Sequence, residues 1–238
     1  MSRSFQEIDT RPTPMGTISL RRRLEPTLNV DVFEVKLDDE FLMSSLFTAG
    51  EAALAALALA EVDGDGLDVV VGGLGLGYTA RAALDDQRVR RLDVVEAIDA
   101  VIDWHHGELV PNAAELTADP RCTLVHGDFF ELIAGDQPIG PGAVARFDAV
   151  LVDIDHTPTH HLAPDHAGFY SVDGLRQLAS RLHPGGVFGL WSDRDVDDAF
   201  LATLRQVFSR GVAHEVTYPN HYTGEPASDT VYVATADS

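Results

Sequence analysis

Cysteine is almost absent from this sequence, since Cys122 is the only one among 238 residues. A single cysteine cannot form an internal disulfide, and we interpret it as a small buried hydrophobic residue. The chain also has no apolar run of about 18 residues, which excludes a transmembrane helix. Residues 1–14, MSRSFQEIDTRPTP, lack the apolar segment of a secretory signal. These absences predict a cytoplasmic protein that does not enter a membrane.

Basic residues are scarce as well. Lysine and arginine together number 17, with Lys36 the only lysine, against 38 acidic residues, and the formal net charge is −21. Binding to a nucleic-acid backbone needs clustered cations. The only short basic cluster, residues 21–23, reads as a solvated strand edge. The charge therefore excludes nucleic acid as a partner and weakly favours cationic ligands through long-range attraction.

The first part of the chain alternates apolar and polar residues. Residues 17–23 (TISLRRR) and 29–36 (NVDVFEVK) follow this pattern, which is typical of a β-hairpin. Acidic residues 38–40 then precede an Ala/Leu-rich stretch, and the combination predicts a helix of about 20 residues. We expect an N-terminal β-rich cap over residues 1–45 and an α/β catalytic domain over residues 46–238.

From residue 67 onwards, short apolar runs alternate with helical patterns. The strand-like runs are LDVVVGG, LDVVEA, CTLVHGD, FDAVLVDID and VFGLWSD, and AHEVTYP with DTVYVATA fits an antiparallel pair. Continuous apolar strands of this kind are typical of a sheet that is buried on both faces. Their alternation with helices predicts a doubly wound, mostly parallel, seven-stranded α/β sheet.

A glycine array, VVVGGLGLG, follows the first of these strands. Gly73, Gly75 and Gly77 lie at the carboxyl end of the strand, where open α/β sheets bind their ligands. Glycine is needed where the backbone must approach a ligand without a Cβ in the way. Glu96 ends the next strand, and a carboxylate there can accept both ribose hydroxyls. Residues 75–80 also fit the dinucleotide fingerprint G-x-G-x-x-G/A, which alone is weak evidence.

The third strand favours a mononucleoside over NAD. It ends in VHGDFF, where Asp128 can accept from an adenine amino group and Phe129 with its neighbour can cover the ring. A glycine loop, a ribose carboxylate and an adenine clamp together describe S-adenosylmethionine or a close relative. The turn RLHPGGVFGLW is habitual in methyltransferase-type sheets, and it supports the same interpretation.

At this point the chain resembles a known family. The order of VVVGGLGLG, VVEAIDAVI, DPRCTLVHGDFFELI, FDAVLVDIDHTP and FYSVDGLRQLASRLHPGGVF is similar to that of the polyamine aminopropyltransferases, the spermidine synthase family. The resemblance covers most of residues 15–195. It implies a Rossmann-like methyltransferase sheet and a homodimer. It also implies that Glu96 holds the ribose, Asp128 and Phe129 take the adenine, and Asp153 faces the transferred group.

The sequence departs from the family in the polyamine half. The family's loop reads G-G-G-D-G-G, and its aspartate binds the ammonium of decarboxylated S-adenosylmethionine, whereas Gly75 stands there in this chain. The family's D-S-S-D-P is replaced by residues 153–158, DIDHTP, and its Y-H-E residues by LMSS. A buried, unpaired propylammonium would cost several kcal/mol. Ordinary S-adenosylmethionine carries its own carboxylate, which bare backbone N–H groups at Gly75 would favour.

We therefore expect methyl transfer from S-adenosylmethionine to a small-molecule acceptor. An aminopropyltransferase that uses decarboxylated S-adenosylmethionine, with Asp153 or Asp155 pairing the amine, is the alternative. A nucleoside-binding protein without catalysis is a further one. Where the acceptor must lose a proton, Asp155 and His156 are the candidates for the base.

Histidines are dense in residues 155–170, DHTPTHHLAPDHAGFY. Histidine and carboxylate side chains at this density could bind a metal. The spacing lacks a tight ligand pattern, and we favour a mobile lid over the acceptor pocket, with no metal. Trp191, at the end of the fifth strand, could wall the acceptor site. His105 and His106 are expected on the surface or at the end of a helix.

Overall fold

The computed structural model describes residues 5–140 and 145–237, which form two sheets. The first is antiparallel and contains β1 (Phe5–Thr13), β2 (Gly16–Glu25), β3 (Val30–Leu37) and β4 (Glu40–Ser44) in that order. The predicted hairpin is present as β2 and β3, with Ile18 opposite Leu37. The outer strands β1 and β4 were not predicted.

The prediction of a helix from the acidic residues onward is wrong for its first part. Residues 40–44 form β4 instead, paired with β3 through Val35 and Met43. The chain turns at Asp38, which has φ 50° and accepts a hydrogen bond from Thr17 N at 2.8 Å. Tertiary pairing thus overrides a local pattern that resembles a helix start. Helix α1 begins later, at Ala49, and ends at Ala60, so it has 12 residues and is shorter than predicted.

The second sheet has seven strands in the order β10-β11-β9-β8-β5-β6-β7. Its strands are β5 (Leu67–Gly72), β6 (Val89–Glu96), β7 (Cys122–His126), β8 (Phe147–Val152), β9 (Leu182–Ser192), β10 (Arg210–Pro219) and β11 (Pro226–Thr235). The five from β5 to β9 pair in parallel, and β10 and β11 add an antiparallel edge. The predicted doubly wound sheet is confirmed.

Helices cover both faces of this sheet. They are α2 (Tyr78–Asp85), α3 (Asp99–His106), α4 (Ala113–Ala118), α5 (Phe129–Ala134), α6 (Val172–Ser180) and α7 (Asp198–Leu204), with a 3₁₀ turn at Pro164–Gly168. No helix in the described ranges, 5–140 and 145–237, is long and apolar enough to cross a membrane. Strand β5 is buried along its entire length, as its continuous apolar run predicts.

Two hydrophobic cores lie on opposite faces of the large sheet. Alternate residues of β5 divide between them, Val69 and Val71 facing one and Val70 the other. The first core continues into the N-terminal sheet through Ile18 and Val35. The two sheets therefore share buried apolar surface, and the division into domains at residue 45 stays a prediction.

Candidate functional site

A cavity of about 590 Å³ lies at the carboxyl ends of the parallel strands, beneath the N-terminal sheet. This size is typical of a small-molecule site. The topological switch point of the sheet lies between β5 and β8. The ends of β5 and β6 form the cavity floor on one side of it, and the end of β8 forms the floor on the other side. The polar lining of the cavity includes Glu51, Glu96, Asp128, Asp153, His156 and Asp229.

The glycine loop after β5 lines the cavity with Gly73 and Gly75 but not with Gly77, which caps α2 from outside it. At Gly73, with φ 93°, a Cβ would lie 2.1 Å from the backbone oxygen of Asp153. No side chain fits where the loop crosses the end of β8. Glycine is needed here to bring the two strand ends together, which creates the cavity floor.

Met43 fills the space beside Gly75. A Cβ on Gly75 would lie 2.4 Å from the Met43 sulfur, and Leu76 N donates to the same sulfur at 3.2 Å. Behind the loop, His105 Nε2 contacts the Gly75 oxygen at 3.0 Å. His105 lies at the end of α3, as one of the two expectations has it, but it is fully buried and not on the helix surface. The Met43 thioether thus lies beside Gly75, the position at which the resembled family has its loop aspartate.

Glu96 holds the loop from the end of β6. Its Oε2 accepts from Leu74 N at 3.1 Å and, more weakly, from Gly75 N at 3.5 Å, and its Oε1 accepts from Ile98 N at 2.9 Å. Burial raises the pKa of this carboxyl, and the backbone bonds oppose that shift. The expected bare N–H groups at Gly75 are therefore not present, since Glu96 and Met43 already accept from the loop.

Asp128 and two phenylalanines form the next wall. Asp128 Oδ1 caps α5 by accepting from Phe130 N at 2.8 Å and Glu131 N at 3.1 Å. Both bonds use the same oxygen, which leaves Oδ2 available to an amino group. Phe129 is buried below Gly72, while Phe130 stacks against His166 with ring centroids 4.1 Å apart. All of these side chains line the cavity.

Carboxylates converge at the other end of the cavity. Asp153 Oδ2 accepts from the Thr79 hydroxyl at 2.6 Å. Asp229 accepts from Trp191 Nε1 at 3.1 Å and from the Tyr218 hydroxyl at 2.9 Å. Glu51 lines the same end and is 6% exposed.

Burial raises the pKa of all three carboxyls, and repulsion from neighbouring acids adds to it, including Asp193 beside Asp229. The pKa of Glu51 rises to about 8, mainly through burial, with Asp153 and then Asp229 adding repulsion. Burial likewise raises the pKa of Asp153 to about 6, although the Thr79 hydroxyl opposes it. The pKa of Asp229 is also raised, again chiefly by burial. This end of the cavity therefore holds protons near neutral pH and attracts cations.

The predicted base candidates occupy different places. Asp155 is buried behind the cavity wall, where it accepts from Leu162 N at 2.6 Å, His166 Nδ1 at 2.9 Å and Tyr170 at 2.9 Å. Asp155 does not line the cavity. Its hydrogen bonds instead hold together the segment of residues 155–170. His156 does line the cavity, and its Nε2 lies 3.2 Å from Glu40 of β4.

The histidine-rich segment folds against the site without assembling ligands. Thr157 and His160 form a single bridge, and the His156 and His160 rings lie 5.1 Å apart. Within residues 5–140 and 145–237, no three His, Cys, Asp or Glu side chains are grouped so as to hold a metal ion. Its role as a lid stays a prediction.

Sequence reasoning missed Glu51, Asp229, Met43 and Tyr218 as cavity residues. One signal was available: Glu51 is the only charged residue within α1, AGEAALAALALA. A lone carboxylate in an otherwise apolar helix that must pack on a sheet needs a polar destination. No comparable signal marked Asp229, because the contact of β11 with β9 is set by the fold alone.

Known proteins resemble this chain in sequence and in fold. No protein-family profile matches the chain. In sequence it is similar to putrescine N-methyltransferase 3 of Nicotiana tabacum, at 28% identity over 66% of this chain and 39% of that protein. Putrescine N-methyltransferase 1 of Nicotiana attenuata matches at 28% over 66% of this chain and 38% of its own length. The match thus spans about two-fifths of these relatives.

Solved structures share the fold over nearly the full chain. The spermidine synthase of Thermotoga maritima superposes with a TM-score of 0.72 at 16% identity, covering 97% of this chain and 72% of that one. A probable spermidine synthase from Corynebacterium glutamicum gives 0.66 at 17%, covering 95% and 79%. Human methyltransferase-like protein 13, in complex with SAH, gives 0.51 at 24%, covering 79% of each chain. The chain thus has the class I methyltransferase fold of the spermidine synthases, and its resemblance to that family is confirmed.

Proposed function

We propose that this protein transfers a methyl group from S-adenosylmethionine to a small cationic amine. The observation that carries the proposal is Gly75 with Met43 beside it, where the resembled family has a carboxylate for an aminopropyl ammonium. A thioether offers no charge to such a group. The amino-acid end of S-adenosylmethionine has a carboxylate of its own, and an aspartate at this position would repel it.

The nucleoside end of the cavity fits this donor. Glu96 would accept from ribose hydroxyls, and Asp128 Oδ2 would accept from the adenine amino group, with Phe130 beside it; all three side chains line the cavity. The tight crossing at Gly73 leaves backbone rather than side chain under the ligand. The donor would supply a methyl group on a sulfonium, and the chain would supply orientation and handling of the acceptor's proton.

The acceptor end supports an amine. Glu51, Asp153 and Asp229 lie there together, and no lysine or arginine pairs with any of them among the described residues. A cation is the ligand that relieves their repulsion. The names of the plant relatives specify putrescine, and we extend that choice to this chain as a small diamine.

Calorimetry with the two sulfonium donors tests the donor, and mass spectrometry of amine products tests the acceptor. We expect tighter binding of S-adenosylmethionine than of its decarboxylated form, and a gain of one methyl group by putrescine or a close analogue. Clearly tighter binding of the decarboxylated donor, with a gain of an aminopropyl group, would overturn the proposal.

Aminopropyl transfer is the second candidate, because one observation favours it. Glu51, Asp153 and Asp229 line the same cavity, and such a cluster of carboxylates could pair the propylammonium in place of the loop aspartate. The product masses above separate the two reactions. A nucleoside-binding protein without catalysis would instead bind donor with no product, and Asp153→Asn would have no metabolic effect.

We also propose that His156 takes part in binding at the acceptor end. We further propose that the protein is a cytoplasmic homodimer. His156 lines the cavity and contacts Glu40, which would connect the histidine-rich segment to the N-terminal sheet during binding. The edge strand β1, where Phe5 is 54% exposed, supports pairing with a second copy. Light scattering on a sizing column measures the oligomeric state.

A further inference from the structure

Glu51 sits where a helix-capping glutamate would be expected, yet it does not cap. Thr48 to Glu51 has the Ser/Thr-x-x-Glu spacing of a capping box at the start of α1. In the structure, Thr48 makes no side-chain cap bond, and among residues 5–140 and 145–237 only Glu51 itself donates to the Glu51 carboxylate. The side chain is 6% exposed, and that remaining surface lines the cavity.

The groups facing Glu51 come from every element packed around it. They are Asp153 after β8, Thr79 and Tyr78 of α2, Tyr218 of β10, and Asp229 of β11, which is held by Trp191 of β9. None of these groups is a cation. In the described part of the chain, therefore, a buried carboxylate faces other acids and hydroxyls without a positive partner, which is costly unless it holds a proton or meets a cationic ligand.

The other two carboxylates of the cluster are already engaged. Asp153 accepts a short bond from Thr79, and Asp229 accepts two bonds from Trp191 and Tyr218. Those donors stabilise the ionised forms and fix the side chains. Glu51 has no such donor from another residue. It is the member of the cluster that is free to exchange a proton with a ligand.

We infer that Glu51 is the catalytic residue that accepts the proton from the acceptor's ammonium group. This inference rests on the proposed methyl transfer. The acceptor R–NH₃⁺ gives a proton to the Glu51 carboxylate, so that R–NH₂ and a neutral Glu51 result. The amine lone pair then forms the N–C bond, the C–S bond breaks, and sulfur keeps the electron pair. Asp153 and Asp229 keep the acceptor in place.

The titration behaviour of Glu51 supports the assignment. Burial and the neighbouring acids raise its pKa to about 8. Below that pH the free protein holds Glu51 neutral, and above it Glu51 is ionised and can act as a base. The rate at low acceptor concentration should therefore fall as pH decreases through about 8, while Asp153, whose pKa is about 6, would act only in a more acidic range.

The test compares kcat/KM against pH for the full chain and for Glu51→Gln. For the unmodified protein we expect kcat/KM to rise with pH and to level near the Glu51 pKa. For Glu51→Gln we expect a loss of about 100-fold at neutral pH. Its rate should go on rising towards about pH 10, where the free amine loses its own proton. Glu61→Gln, just beyond α1 and outside the cavity, is the matched control and should match the unmodified protein.

A binding measurement gives a readout that does not depend on turnover. Putrescine is titrated into the protein with S-adenosylhomocysteine present, in buffers of different ionisation enthalpy. At neutral pH we expect release of close to one proton per amine bound, because the ammonium makes Glu51 ionise, and Glu51→Gln should lose this release. Retained affinity for S-adenosylhomocysteine shows that the variant is folded.

The outcomes distinguish the two claims. An unmodified protein that methylates no amine overturns both the proposed function and the role of Glu51. Methyl transfer by the unmodified protein, with the same rate, pH profile and proton release in Glu51→Gln, overturns the role of Glu51 alone. The role of Glu51 would also be overturned if the pH at which kcat/KM levels shifted in Asp153→Asn but not in Glu51→Gln.

Discussion

The two ends of the cavity satisfy their polar groups in opposite ways. At the nucleoside end, Glu96 and Asp128 accept backbone bonds that also fix the glycine loop and the start of α5. At the acceptor end, no other residue in the described part of the chain donates to the Glu51 carboxylate, and its neighbours are acids and hydroxyls. One end is therefore organised before any ligand arrives, whereas the other is completed by its ligand.

This difference suits the nucleoside end to ligand binding and the acceptor end to proton transfer. Groups that are already bonded lose little freedom when a ligand arrives, which favours affinity. A carboxylate with a raised pKa changes its proton content when a cation arrives, which favours chemistry near neutral pH. The experiments below remove one contribution at a time, beginning with the most strongly bonded group.

Glu96→Ala should produce the largest effect, on donor affinity. The substitution leaves the amides of Leu74 and Ile98 without their acceptor and removes the proposed ribose contact. Losing bonds to a charged, half-buried acceptor costs about 4 kcal/mol in total, or roughly 1,000-fold in Kd. Calorimetric titration with S-adenosylhomocysteine measures it. Glu131→Ala, an exposed acid on α5, is the control, and a change in Kd below tenfold for Glu96→Ala would contradict a preorganised nucleoside end.

Asp155→Ala should act on stability. It removes the acceptor for Leu162 N and for the buried His166 and Tyr170. We expect the free energy of unfolding in urea to fall by about 3 kcal/mol. The neighbouring exposed Asp165→Ala should change it little. Loss of turnover in Asp155→Ala with unchanged stability would instead support the sequence-based hypothesis that Asp155 is the base.

Glu51→Gln should stabilise the free protein in alkali. A carboxyl whose pKa is about 8 when folded and near 4.5 when unfolded binds its proton more tightly in the native state. Its contribution to stability is present below about pH 4.5 and is lost as pH rises through about 8. Near pH 9 the free energy of unfolding of the variant should therefore exceed that of the unmodified protein by about 2 kcal/mol. Near pH 4.5 the two free energies should agree.

Urea unfolding at both pH values measures the effect of Glu51→Gln. Glu61→Gln, which removes an exposed ion pair with Arg210 outside the cavity, should bring no gain in stability near pH 9. Equal stability of Glu51→Gln and the unmodified protein near pH 9 would mean that the folded state does not strain the Glu51 charge.

Much of the nucleoside end could be predicted from the sequence, and much of the acceptor end could not. The positions of Gly73 and Glu96 follow from local patterns, since each lies where a buried strand ends. The side chains around Glu51 come from α2, the end of β8, β10 and β11, which are far apart in the chain and meet only through the order of the strands. The place of Met43 in the cavity could not be predicted either. Residues 40–44 have a helix-like pattern and form a strand only by pairing with β3.

Placing an aspartate at Gly75 should have the smallest effect, on donor choice. Gly75 has φ 47°, which aspartate tolerates better than most residues, but its Cβ would meet the Met43 sulfur at 2.4 Å. The variant is therefore Gly75→Asp combined with Met43→Ala, and Met43→Ala alone is its control. The new carboxylate should attract the propylammonium of decarboxylated S-adenosylmethionine and repel the carboxylate of the ordinary donor. We expect the ratio of the two Kd values to move about tenfold, or about 1.4 kcal/mol, towards the decarboxylated form. Competition calorimetry measures this ratio, and an equal ratio in the control and the double variant would mean that Gly75 does not set donor choice.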